Sequence, residues 1–158
     1  MPSFTIRPAT SGDTSLILAL LTALAVYEKL PITLTGEQIA LDFFGPKRLI
    51  ECELAFEDQT SIGIATYYWP YATFRAARRL YVEDLFVLPG FRGRGYGKAI
   101  LQYLTRKALA AGAARVEWQV LDWNRPAIDF YKSIGAYPHE GWDTYWLEGE
   151  AMQRLFEP

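Results

Sequence analysis

Polar and apolar positions alternate at the start of the chain, where Phe4, Ile6 and Pro8 sit between polar neighbours, and this period of two predicts a first strand. Ser11-Gly-Asp then introduces a helix, with acidic charge near its positive end, that runs to about Tyr27. Pro31 interrupts the pattern. Thr35-Gly-Glu-Gln can cap a second short helix through Phe44, which Gly45-Pro46 ends. Leu49 to Phe56 and Ser61 to about Trp69 flank the turn-like Glu57-Asp-Gln-Thr and predict an antiparallel hairpin with a connection of four or five residues. Pro70 to Arg79 reads as a loop. Leu80 to Leu88 is rich in β-branched and aromatic residues and predicts a strand stopped by Pro89-Gly90.

A glycine-rich turn follows, and from Tyr96 the apolar positions Ile100, Leu101, Leu104, Ala108 and Leu109 keep helical spacing until Ala110-Ala-Gly112. Arg115 to Leu121 alternates as a strand. Pro126 fits a first helical turn, Ala127-Ile-Asp-Phe-Tyr-Lys carries that helix towards Gly135, and Asp143 to Leu147 predicts a last strand before a short terminal element. The order β-α-α-β-β-β-α-β-α-β implies an α/β (α+β) sheet covered by helices on both faces. No repeat, low-complexity segment or linker interrupts it, so residues 1–158 are expected to form one domain.

Composition narrows the function classes. With 51% hydrophobic and 22% charged residues the chain is too rich in large apolar groups to be disordered over most of its length. A formal charge of -2 supplies no general excess of positive charge for phosphate backbones, so nucleic acid is not an expected partner. Cys52 has no second cysteine to pair with, and with His139 as the single histidine no Cys/His zinc site can be built, so no metal is expected. The longest apolar stretch, Leu16 to Val26, spans 11 residues with Thr22 inside it, against the ~20 that cross a bilayer. The first residues, Met-Pro-Ser-Phe-Thr-Ile-Arg, lack the pattern of a signal peptide. No membrane partner is expected, and the expected location is cytoplasmic.

Arg92-Gly93-Arg94-Gly95-Tyr96-Gly97-Lys98 joins a strand directly to a helix, so unpaired amides and the positive helix end make a seat for a phosphorylated ligand. A Walker A loop would need Gly at 92 and Ser or Thr at 99, which are Arg92 and Ala99. A dinucleotide fingerprint starting at Gly93 would need a third glycine at Lys98. A plain tight turn would need fewer glycines and no flanking Arg92, Arg94 and Lys98.

Arg92, Gly95 and Gly97 match the pattern Arg or Gln, two residues, Gly, one residue, Gly or Ala, and Asn124 is followed seven residues later by Tyr131. In both elements the chain resembles the GNAT N-acetyltransferases. Phe-x-Ile-Arg-Pro-Ala-Thr at the start, Tyr27-Glu28, Leu80-Tyr-Val-Glu-Asp and Trp123 to Pro126 look like the spermidine/spermine N1-acetyltransferase branch, which also includes enzymes acting on thialysine. The resemblance covers nearly the whole chain. It implies the GNAT fold, with a central mixed, mostly antiparallel sheet; acetyl-CoA as co-substrate; a homodimer; and direct acetyl transfer to a primary amine of a small diamine, polyamine or diamino acid.

Residue by residue, the resemblance implies that the turn from Arg92 to Lys98 wraps the CoA pyrophosphate, and that Asn124, with Pro126 and Ala127, holds the pantetheine arm or orders the strand beside it. Leu85, Phe86 and Val87 would act through backbone groups, one amide polarising the thioester carbonyl. Tyr131 would protonate the departing CoA thiolate. An alkylammonium of pKa ~10.4 is neutral at pH 7 only at a cost of about 4 to 5 kcal/mol, so a base is required. Glu83 matches the branch's proton acceptor, acting directly or through water. Its neighbour Asp84 would point to the opposite face of a regular strand and serve as a hydrogen-bond acceptor.

Tyr27 and Glu28 match the branch's acceptor-binding pair, with a solvated Glu28 as the alternative, and Asp122 would add negative charge or cap a helix. Two departures bear on the acceptor: Lys29-Leu-Pro follows Glu28, and Arg75, Arg78 and Arg79 precede Glu83. Positive charge there would repel a polycation and pair with a carboxylate, which favours a diamine or diamino acid, unless these arginines form a solvated loop. Cys52 and His139 receive no catalytic role. Two other functions fit the same residues: a non-catalytic acetyl-CoA-binding regulatory module, which retention of Glu83, Asn124 and Tyr131 argues against, and a protein N-acetyltransferase, for which no peptide-binding insertion is evident.

Overall fold

In a computed structural model, which describes residues 2–156, the alternating N-terminal positions form β1 (Phe4–Pro8). Met1, Glu157 and Pro158, the ends of the expected domain, lie outside the described residues. A 3-10 turn, Ser11–Asp13, leads into α1 (Thr14–Glu28). The Asp13 carboxylate fixes that entry: it accepts from the Thr10 N–H at 2.7 Å and pairs with Arg7 at 2.8 Å, and the guanidinium holds its carboxyl well below the usual range. In α2 (Gly36–Phe44), the Thr35 hydroxyl accepts from the Gln38 N–H at 3.2 Å, while the Gln38 side chain accepts from the Thr35 N–H at 2.9 Å, a reciprocal capping box.

The strands that follow are β2 (Glu51–Glu57), β3 (Thr60–Tyr68), a small hairpin of β4 (Tyr71–Ala72) and β5 (Ala77–Arg78), and β6 (Leu80–Val87). After them come α3 (Tyr96–Ala110), β7 (Val116–Trp118), α4 (Arg125–Ser133) and α5 (Glu150–Phe156). The main sheet has the order β1-β2-β3-β6-β7, antiparallel throughout except for the parallel pair β6 and β7. The chain forms two compact units, Met1–Gln119 and Val120–Pro158, and the sheet belongs to the first.

Helices cover both faces of that sheet. Ile17, Leu20 and Leu24 of α1 and Ile39 and Phe43 of α2 bury against Leu54, Ile64 and Phe86. Ile100, Leu104 and Ala108 of α3 bury against Ala55, Ile62, Leu80 and Val82 on the other side. Each large aliphatic residue so buried contributes roughly 1.5 to 3 kcal/mol. Ile62 and Ile64 serve opposite faces although two apart, because a bulge between Ala55 and Phe56 leaves Ile62 as an extra residue and inverts the alternation.

Several local expectations are corrected. The hairpin connection is Asp58-Gln59 alone, because Asp58 takes a left-handed φ of 53° and lets pairing continue to Glu57 and Thr60; β2 also begins at Glu51, not Leu49. Pro70 to Arg79 is not an open loop, since Tyr71 pairs with Arg78 and Ala72 with Ala77. The strand expected from Arg115 to Leu121 is confined to Val116–Trp118. Asp143 to Leu147 forms no strand; among the described residues the unit Val120–Pro158 contains no strand for it to pair with, and alternation without a partner does not make a sheet.

Candidate active site

The turn after β6 takes its shape from backbone conformation. A 3-10 turn, Pro89–Phe91, leads to Gly93 at φ 76° and Gly95 at φ 84°, both left-handed, and a Cβ at either would meet nothing within 4 Å. Gly95 caps α3 without a side chain, so the first-turn amides receive no side-chain acceptor and point their positive end outward. An open, glycine-shaped cradle at the start of a 15-residue helix fits a diphosphate.

Two of the three flanking cations hold this turn in place. The Arg92 Nε donates to the Val87 carbonyl at 2.9 Å, and its guanidinium lies 4.3 Å from the Tyr27 ring and 5.3 Å from the Phe86 ring, tying the turn to α1 and β6. Arg94 pairs with Glu57 at 3.2 Å, the Tyr96 hydroxyl donates to the same carboxylate, and the Tyr96 ring stacks on Phe4 at 4.6 Å. Glu57 was not singled out by sequence, because its approach to the turn depends on sheet register and no local signal marks it. Lys98 is exposed and makes no hydrogen bond or ion pair among the described residues, so its charge is left for a ligand.

Glu83 lies on a bulge. Thr66 faces Asp84 and Tyr67 faces Val82, so Glu83 is an extra residue in β6 and strand alternation does not separate its carboxylate from that of Asp84. This corrects the expectation that the pair points to opposite faces. The Thr66 hydroxyl donates to Asp84, whose pKa burial nevertheless raises. Glu83 is exposed, yet its pKa is also raised, by desolvation and then by the charge of Asp84. Half-buried Glu28, beside Tyr27 at the end of α1, is raised by the same two causes. Glu28, Glu83 and Asp84 thus form one acidic group, and Arg92 links Tyr27 to the glycine turn.

Pairing of β6 with β7 runs from Leu80 to Val82 and ends there, so the edge of β6 from Glu83 to Val87 has no β7 partner. Leu85, Phe86 and Val87 lie on this stretch outside the β6–β7 pairing, and the Phe86 and Val87 side chains are buried on opposite faces of the sheet. The bulge and the open edge are the features that sequence reasoning missed.

In the unit Val120–Pro158, buried Asn124 caps α4, its side-chain oxygen accepting from the Ala127 N–H at 3.4 Å with Pro126 in the first turn. Tyr131, half-buried, lies seven residues on and therefore on the same side of that helix, its ring 5.3 Å from Phe130. Asp122 is exposed at the approach to the helix. His139 stacks on Trp142 at 5.9 Å. Cys52, in the other unit, is buried, and desolvation pushes its thiol far up, which makes it a poor nucleophile. Among the described residues no group of three or more His, Cys, Asp or Glu side chains could hold a metal, and no helix is long and apolar enough to cross a membrane.

Comparison with known proteins gives a consistent set of likenesses. The sequence model of the acetyltransferase (GNAT) family matches residues 21–136. The thialysine N-epsilon-acetyltransferase of Sus scrofa is 38% identical over 98% of this chain and 98% of its own length. The L-ornithine N5-acetyltransferase of Arabidopsis thaliana is 36% identical over 62% of this chain and 43% of its own length. Among solved structures, an integron cassette protein from the mobile metagenome of V. cholerae superposes with a TM-score of 0.81 at 24% identity, covering 99% of both chains, a likeness of fold.

Proposed function

The chain belongs to the GNAT acetyltransferase family and is an N-acetyltransferase, and on that premise we propose that it transfers the acetyl group of acetyl-CoA to an amine of a small diamino acid. The observation that carries this reading is the acidic group made by Glu28 at the end of α1 with Glu83 and Asp84 on the strand that leads into the glycine turn, in a chain 38% identical to a thialysine acetyltransferase. The similarity to an ornithine acetyltransferase supports the same substrate class. A family match that runs from residue 21 to 136, across the boundary at Gln119, supports the two units acting as one domain.

In this reading the cradle from Arg92 to Lys98 holds the diphosphate of acetyl-CoA, and the free edge at Leu85, Phe86 and Val87 takes the pantetheine arm, aided by Asn124, Pro126 and Ala127. One edge amide polarises the thioester carbonyl. Tyr27 and Glu28, with Asp122, attract the acceptor cation. Glu83 removes its proton, directly or through water, and the raised pKa makes it a better base than a free carboxylate. The neutral amine attacks the thioester carbon and its lone pair forms the C–N bond; the C–S bond then breaks, Tyr131 gives a proton to the thiolate, and the surplus proton of the new amide nitrogen is lost to solvent, from which Tyr131 is reprotonated. No enzyme nucleophile is needed, which agrees with the raised Cys52 thiol. The proposal includes a homodimer in the cytoplasm, with small molecules and not nucleic acid as partners.

The test is CoA release from acetyl-CoA with thialysine, lysine, ornithine, putrescine and spermidine, each against an amine-free blank. Release that depends on a diamino acid is expected. Tyr131→Phe should lower kcat by about 100-fold or more while acetyl-CoA binding by calorimetry persists. Silence across the panel in a protein that binds acetyl-CoA would overturn the proposal in favour of a regulatory module or a protein substrate.

A further inference from the structure

We propose that Arg79, held beside Arg115 on the single carboxylate of Glu117, reads the carboxylate of the acceptor and thereby selects diamino acids over the corresponding diamines. This rests on the acetyltransferase reading above and names the residue that sets its specificity.

The segments carrying these arginines are tied side by side, the Ala114 N–H donating to the Arg78 carbonyl at 2.8 Å and the Leu80 N–H to the Arg115 carbonyl at 3.0 Å. Both guanidiniums then converge on Glu117: Arg79 Nη1 donates to one carboxylate oxygen at 2.5 Å and Arg115 Nε to the other. Two cations on one anion leave the group with a net charge of +1. Arg79 also has donors to spare. Of its five N–H groups only one at Nη1 is engaged with Glu117, and its side chain stays 27% exposed, so part of a fork suited to a carboxylate remains open to a ligand.

A pair of tyrosines connects this cation to the acidic group. Tyr81 lies opposite Glu117 on one side and opposite Tyr68 on the other, and the two rings are 5.1 Å apart. The Tyr68 phenol, raised first by burial, also feels both ends: Glu83 adds to the rise and Arg79 opposes it. From Arg79 to Glu83 is four residues of strand, about 13 Å at ~3.3 Å per residue. Less the reach of the two side chains, that span suits a molecule with an amine at one end and a carboxylate a few methylenes away. A diamine or polyamine would instead present its second ammonium to Arg79 and be repelled.

Steady-state kinetics of the full chain with thialysine, lysine and ornithine, each paired with its decarboxylated diamine, test this. In Arg79→Met, kcat/KM for the diamino acids should fall roughly 10- to 100-fold, through KM, while the diamines hold or improve and the KM for acetyl-CoA is unchanged. Arg79→Lys should recover only part of the loss, because an ammonium lacks the fork. An equal fall for acid and diamine would show a merely structural role and overturn the proposal, as would an unchanged preference. Lysinamide in place of lysine asks the same question of the unaltered protein, so a variant that fails to fold leaves the test intact; equal kcat/KM for the two would overturn it. Wild-type turnover of diamines and diamino acids without discrimination would sink the role of Arg79 and leave the acetyltransferase reading standing. Turnover of neither class would sink both.

Discussion

Asp84 is the neighbour that tunes Glu83. Its charge raises the pKa of both Glu83 and Glu28, while its own carboxyl is raised by burial and drawn back by the Thr66 hydroxyl. Asp84→Asn removes one negative charge from the group, so both neighbours should lose protons more easily and the acid limb of the kcat/KM profile should move to lower pH. An acid limb that stays in place would exclude Glu83 as the titrating base. Stability should respond with the opposite dependence. A carboxyl whose folded pKa lies above its unfolded value favours the fold below the unfolded pKa and loses that contribution as pH rises through the folded one. Replacing Asp84 should therefore help more at pH 7 than at pH 4, as read from urea midpoints. The resemblance singled out Glu83 and the spacing after Asn124 singled out Tyr131, but neither showed what surrounds those side chains. The extra residue at Glu83 exists only relative to the register of β3, which no local pattern in β6 encodes.

At the scale of elements, the glycine turn separates two uses of glycine. Gly95 stands at φ 84° with open space around its α-carbon, so a methyl group there meets a conformational cost of about 1 to 2 kcal/mol and no clash. Gly95→Ala should lower Tm by several degrees and weaken acetyl-CoA binding about tenfold, because the turn must leave its left-handed shape. Gly97 lies inside α3 with ordinary helical geometry and equally open surroundings. Gly97→Ala should stabilise the free protein by up to about 1 kcal/mol, yet still weaken acetyl-CoA binding if the diphosphate sits against that surface. Unchanged acetyl-CoA affinity in both variants would move the cofactor away from this turn. Helix boundaries here were legible where the signal is local: Thr35 with Gln38 and Pro126 in a first turn mark their own helices, although the cap of α4 is Asn124 and not Asp122. The Asp58-Gln59 turn, the hairpin from Tyr71 to Arg78 and the contact of Glu57 with the turn depend on pairing partners distant in sequence, and that is where local reading stopped.

At the scale of the whole molecule, the unit Val120–Pro158 leaves Tyr137, Trp142, Tyr145, Trp146, Leu155 and Phe156 more than 70% exposed. Large apolar side chains in such number on so short a stretch cost solubility unless something covers them, and in the proposed homodimer the covering surface is a second copy. The segment from Asp143 to Leu147 adds strand-like alternation with no partner strand among the described residues of its own unit, which a neighbouring chain can supply through backbone hydrogen bonds. Light scattering coupled to gel filtration should therefore give twice the 18.0 kDa of the chain. Replacing Tyr145 and Trp146 together with serine should shift that mass towards the monomer, while circular dichroism still reports the sheet and helices of residues 2–119. The same double variant separates assembly from chemistry. Loss of activity in a folded monomer, recovered at high protein concentration, would show that the second copy completes the site, and full activity in the monomer would make the dimer a matter of stability alone. A wild-type protein that runs as a monomer at micromolar concentration would overturn the homodimer outright.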